Sequence, residues 1–137
     1  MLIDGMTSDY YAQGRPMWAI DGVYSPAGSG WHGLNVAPGG GNDTEIKGLA
    51  IVNWPGAGVY VINHNFRLRS SYVGVGLYDV ASPNGIGVDL VAGSGGVIGG
   101  AGVGEGNVIS GNTQSGIRLD NGYPGTDYNL IGSAHWY

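Results

Sequence analysis

No cysteine occurs among the 137 residues, which excludes disulfides, thiolate metal sites and cysteine nucleophiles. Charge is scarce as well. Asp, Glu, Lys and Arg make up 11% of the chain, under half the usual share of about 25%. The basic residues are only Arg15, Lys47, Arg67, Arg69 and Arg118, and the net charge is −5. They form no patch able to neutralise a run of phosphates, so nucleic acid is not an expected partner. Apolar runs are short; none approaches the roughly 20 residues of a membrane span. The opening MLIDGMTSDYY lacks the basic and apolar regions of a secretion signal. The expectation is that a signal was removed with upstream sequence, or that the chain is an internal piece of a longer one. Proline is limited to 6 residues, too few for a proline-rich linker.

Glycine fills much of the space left. It supplies 29 residues, against a usual share of about 7%, with no Gly-X-Y period. Apolar residues reach 42% and alternate with polar or small ones over four to six positions, which is a strand signal. Pro-Gly, Asn-Gly, Gly-Gly and Ser-Gly pairs punctuate these runs as turns. Helical periodicity is absent throughout.

The pattern repeats. Residues 44–62, 66–90 and 106–119 each hold a short strand, a Gly or Asn turn, and a second strand introduced by glycine; residues 17–36 hold a looser copy. The introducing glycines align as Gly58, Gly85 and Gly116, at intervals of 27 and 31 residues. One such unit cannot bury its apolar side chains alone, whereas stacked units can, with parallel pairing about 4.8 Å apart. This alignment predicts inward columns Val59–Ile86–Ile117 and Val61–Val88–Leu119, with Tyr60, Gly87 and Arg118 outward. It also predicts an outward column of Ile62, Asp89 and Asp120. The expected architecture is all-β, a right-handed parallel β-helix of four to five coils, its strands near residues 20, 46, 68 and 98, with a fifth coil from Asn129. A single domain over 1–137 is expected, with 1–16 an irregular or capping segment and 17–137 the stacked coils.

The stretch VIGGAGVGEGNVISGNTQSGIRL, residues 97–119, resembles the repeats of bacterial right-handed β-helix proteins of the secreted or cell-surface type. Their pattern N-x-I-G-G…G-N-V-I-S-G-N…G-I-x-L falls here on Ile98-Gly99-Gly100, Gly106 to Asn112 and Gly116 to Leu119. Tyr128-Asn129-Leu130-Ile131-Gly132 is similar to the start of a further repeat. The resemblance implies an extracellular or cell-surface location and a fold shared by adhesin-like, structural and carbohydrate-active proteins. Members carry many coils and capped ends. This chain begins almost inside a strand pattern and ends at Trp136-Tyr137 partway round a coil, as a fragment or an open-ended subunit does.

For chemistry, Asp89 and Asp120 are the catalytic candidates. In one column they would lie about 5 Å apart, a carboxylate pair suited to glycosidic acid–base work or to Ca²⁺. Both also fit surface turn positions. No resident cofactor is otherwise implied. His32, His64 and His135 show no metal-ligand spacing and read as turn or surface residues. Asn42-Asp43-Thr44 matches a glycosylation acceptor but also closes a turn before the strand at 45–51. The aromatics stand out more, because outward rings on a flat sheet stack on sugars. Trp54, Tyr60, Trp31 and Tyr123 are the carbohydrate-binding candidates. The alternative for them is to cover strand edges and ends.

Three functions therefore compete. A non-catalytic structural or adhesive segment with polysaccharide as partner needs only the fold and exposed rings. A polysaccharide lyase or glycoside hydrolase needs converging acids in a groove built by long loops. A subunit that self-associates through its coil ends into an extracellular filament needs both ends unpaired. The sequence favours the first.

Overall fold

The computed structural model describes residues 1–7, 15–38, 42–120 and 128–132. Short, β-branched runs broken by Gly and Asn leave the chain little choice but brief strands, and every regular element among the described residues is a strand. No helix there is long and apolar enough to cross a membrane.

The strands form three parallel sheets. The first contains β1 (Leu2–Asp4), β4 (Glu45–Lys47), β7 (Arg67–Arg69), β10 (Val97–Ile98) and β13 (Leu130–Ile131), in that order. The second runs β2 (Trp18–Asp21), β5 (Leu49–Val52), β8 (Tyr72–Val73) and β11 (Val108–Ile109). The third runs β3 (Leu34–Val36), β6 (Ala57–Ile62), β9 (Ile86–Ala92) and β12 (Ser115–Leu119). The chain visits first, second and third sheet in fixed rotation, completes that circuit four times and enters the first sheet again. An isolated antiparallel bridge, Val75 to Ala81, lies inside the loop before β9.

Register puts like side chains in rows. The first sheet aligns Ile3, Ile46, Leu68, Ile98 and Ile131. The second aligns Ile20, Ile51, Val73 and Ile109. The third aligns Leu34, Val59, Val88 and Ile117, and beside them Val36, Val61, Leu90 and Leu119. These rows meet in one apolar cluster with Phe66 buried among them, except that Leu119 and Ile131, in the last strand of their rows, are half exposed. Each fully buried member contributes roughly 1.5–3 kcal/mol from leaving water.

Three expectations change. Val59 stands beside Val88, not Ile86, which pairs with Ala57 and Ser115. The sequence alignment had placed β9 two residues out; the slip preserves the in–out alternation but changes every neighbour. Gly87, rather than Gly85, is the glycine in step with Gly58 and Gly116. A Cβ on Gly87 would lie 2.3 Å from the Gly116 carbonyl oxygen and 2.7 Å from Asn112 Nδ2, so no side chain fits there. The strand near residue 20 belongs to the second sheet, and the first sheet instead begins at Ile3. Residues 2–4, inside the segment read as irregular, thus pair in register with 45–47.

The corner between second and third sheets is built the same way three times. The Asn84 amide donates to Ile51 O (2.9 Å) and the Asn112 amide to Val73 O (3.1 Å). One level earlier the Trp54 indole N–H donates to Ile20 O at 3.2 Å. All three acceptors belong to one row of the second sheet, so a tryptophan takes the place that asparagine holds at the next two levels. Asn84 Oδ1 accepts the Trp54 backbone N–H (3.0 Å), and Asn112 Oδ1 accepts from both Asn84 N (3.2 Å) and Asn84 Nδ2 (3.1 Å).

Candidate functional site on the third sheet

The outward row of the third sheet reads Asn35, Tyr60, Asp89, Arg118. Outward positions are normally wet, yet Asp89 is only 1% exposed. A buried carboxylate is costly unless its charge is met. Arg118, one strand on, meets it with a two-pronged bond: Nε to Oδ1 at 2.9 Å and Nη2 to Oδ2 at 2.5 Å. That geometry matches the guanidinium fork to both carboxylate oxygens. The hydrogen bond to Asp89, with the charge of Asp120 nearby, raises the Arg118 pKa further.

On the other side of Asp89, Tyr60 carries a second ring. The His32 imidazole stacks on it, centroids 4.3 Å apart and planes 16° from parallel. His32 Nδ1 accepts the Ala57 backbone N–H at 2.8 Å, which assigns the neutral ring's proton to Nε2. Burial lowers the His32 pKa; Asp89 acts against that shift and Arg118 reinforces it. Trp31, the preceding residue, is 58% exposed.

The lowered His32 pKa carries a stability consequence. Between the ordinary histidine value, about 6.5, and the lower folded value, the unfolded chain binds a proton that the folded chain refuses. Stability is therefore full above that window and declines as pH falls through it. Urea unfolding at pH 7.5, 6 and 5 is expected to show this decline in the wild type and a shallower one in His32→Gln. Parallel profiles would remove His32 as the cause.

The other sequence candidates fall as follows. Tyr60 lies in the row and is half-buried. Trp54 is partly buried against the core, its N–H committed to Ile20; it also lines a shallow hollow with Val23, Pro55 and Pro83. Tyr123 lies outside the described residues. Asp89 and Asp120 are not partners, because Asp89 faces Arg118 while the Asp120 backbone N–H bonds to Leu90 O. The Ca²⁺ and acid–base pair drawn from their adjacency therefore loses its geometry. Among the described residues, no group of three or more His, Asp or Glu is placed to hold a metal ion. Sequence reasoning passed over His32, whose partner Tyr60 is brought close only by the fold. An even spacing of the repeats, as Val59, Val88 and Ile117 show, would have put Arg118 opposite Asp89.

No family model, curated protein or solved structure matches the chain.

Proposed function

We propose that this chain is a segment of right-handed parallel β-helix from a secreted or cell-surface bacterial protein, and that it binds carbohydrate without catalysis on the outer face of its third sheet. The fixed rotation through three parallel sheets supports the β-helix reading, and crossovers between parallel strands are right-handed in nearly all proteins. The binding reading is carried by one observation: the Tyr60 ring, overlaid by His32, stands beside an Asp89–Arg118 pair on one face. Rings offer a flat apolar surface to the C–H face of a sugar, and flanking polar groups bond its hydroxyls. The Asp89 charge is met by Arg118, so the face suits an uncharged glycan. Glycoside hydrolysis calls for two carboxylates in set roles; here both Asp89 oxygens are engaged by Arg118, which favours holding over cleaving.

Affinity electrophoresis against neutral polysaccharides (β-glucan, xylan, mannan) tests the reading. Tyr60→Ala is expected to weaken the best ligand about tenfold, equivalent to about 1.4 kcal/mol, with circular dichroism unchanged. Retention that is identical for wild type and variant, or absent for every polysaccharide, would reject glycan binding at this face.

A further inference from the structure

We infer that His32 is an acid-operated latch on the Tyr60 ring, covering one ring face when neutral and releasing it when charged. Only the effect on ligand binding rests on the proposed glycan-binding role; the latch itself rests on geometry.

Neutral His32 is held at two points, the Ala57 N–H on Nδ1 at 2.8 Å and the Tyr60 ring beneath it at 4.3 Å. A proton added to the imidazole must go to Nδ1, because Nε2 already carries one. Two N–H donors then confront each other across a distance set for a hydrogen bond. The backbone offers little relief. Gly56 N donates to Trp31 O, and Gly33 N to Ala57 O, both at 2.9 Å. These bonds pin the main chain on either side of His32, so the side chain must turn.

Among the described residues, the groups facing His32 are Tyr60 on β6, Asp89 on β9 and Arg118 on β12. Asp89 favours the imidazolium, but Arg118 already occupies both of its oxygens, and Arg118 repels a second cation. A cation over a tyrosine ring gains about 0.5–1 kcal/mol at exposed sites. That attraction alone does not hold a ring whose hydrogen bond has become a donor–donor clash. Turning away uncovers the Tyr60 face, the surface assigned above to sugar stacking.

Proton NMR of the whole chain from pH 7.5 to 4.5 tests the latch without any ligand. The His32 Cε1–H, Ala57 amide and Tyr60 ring signals are expected to move together in one transition below pH 6.5. Ala57 amide exchange, corrected for its intrinsic pH dependence, should quicken about tenfold or more. His32→Gln should abolish the joint transition. A titrating His32 with the Ala57 and Tyr60 signals unmoved would overturn the latch. In a second arm, a soluble neutral β-glucan should bind about tenfold tighter at pH 5 than at pH 7.5, and His32→Ala should bind equally at both. Joint NMR movement with no glucan binding at either pH would uphold the latch and reject the glycan reading. Glucan binding that ignores pH while the signals move would overturn the latch's control of the site.

Discussion

Asn84→Ala is expected to lower unfolding free energy by roughly 2–4 kcal/mol, a large loss for one polar side chain. Asn84 is 1% exposed, and its side chain serves three partners at once. Truncation leaves the Trp54 backbone N–H without its acceptor in a part-buried corner. It removes one donor from Ile51 O, which keeps a bond from Gly74 N at 3.0 Å. It also opens a small void against the core, adding a cavity cost to the polar one. Urea denaturation should show an earlier midpoint at unchanged slope. Asn112→Ala, at the more exposed end of the same column, should lose less. Equal losses at both positions, or a loss at Asn84 below about 1 kcal/mol, would show that the corner does not depend on this amide.

Arg118→Met should come next, at about 3 kcal/mol. Removing one partner of a buried pair leaves an uncompensated charge and typically costs 3–5 kcal/mol. The lower end applies here because the Arg118 side chain is 47% exposed and solvent screens its half of the attraction. Asp89→Asn alone should cost about 1–2 kcal/mol, since the amide oxygen still accepts from Arg118. The double variant should recover most of the Arg118→Met loss, because no buried charge then remains. A double-mutant cycle reads this as coupling of at least about 1 kcal/mol. Additive single effects would mean that the two side chains stabilise the sheet independently.

Much of the fold was legible because apolar alternation and turn glycines write strand and corner into the local sequence. What failed was counting. In Asn84-Gly85-Ile86-Gly87-Val88 two glycines compete to introduce the strand, and the alternation is satisfied by either. Only three-dimensional crowding at Gly87, against Gly116 and Asn112, decides between them. The loop from 74 to 85, with its Val75–Ala81 bridge, hid the even spacing further, since it has no counterpart in the short connection from β11 to β12. Residues 2–4 read as strand-like but were assigned to a capping segment, because three positions are too few to show which strand they pair with. The corner role of Trp54, read as a turn residue and a sugar-stacking candidate, was hidden for a related reason. Nothing in one sequence says that an indole N–H stands where later circuits use an asparagine amide. The site itself was half visible: Tyr60 and Asp89 were singled out, but Asp89 was matched to Asp120 where the register puts Arg118, and the His32 ring over Tyr60 went unseen.

Among the described residues, each strand pairs only with its counterparts in adjacent circuits. Backbone pairing therefore couples each level to the levels next to it, while the shared apolar cluster ties the three sheets together. A substitution in β7 speaks first to β4 and β10, and its voice fades beyond them. Selection can therefore tune one stretch of strand pairing with least effect on the strands furthest from it.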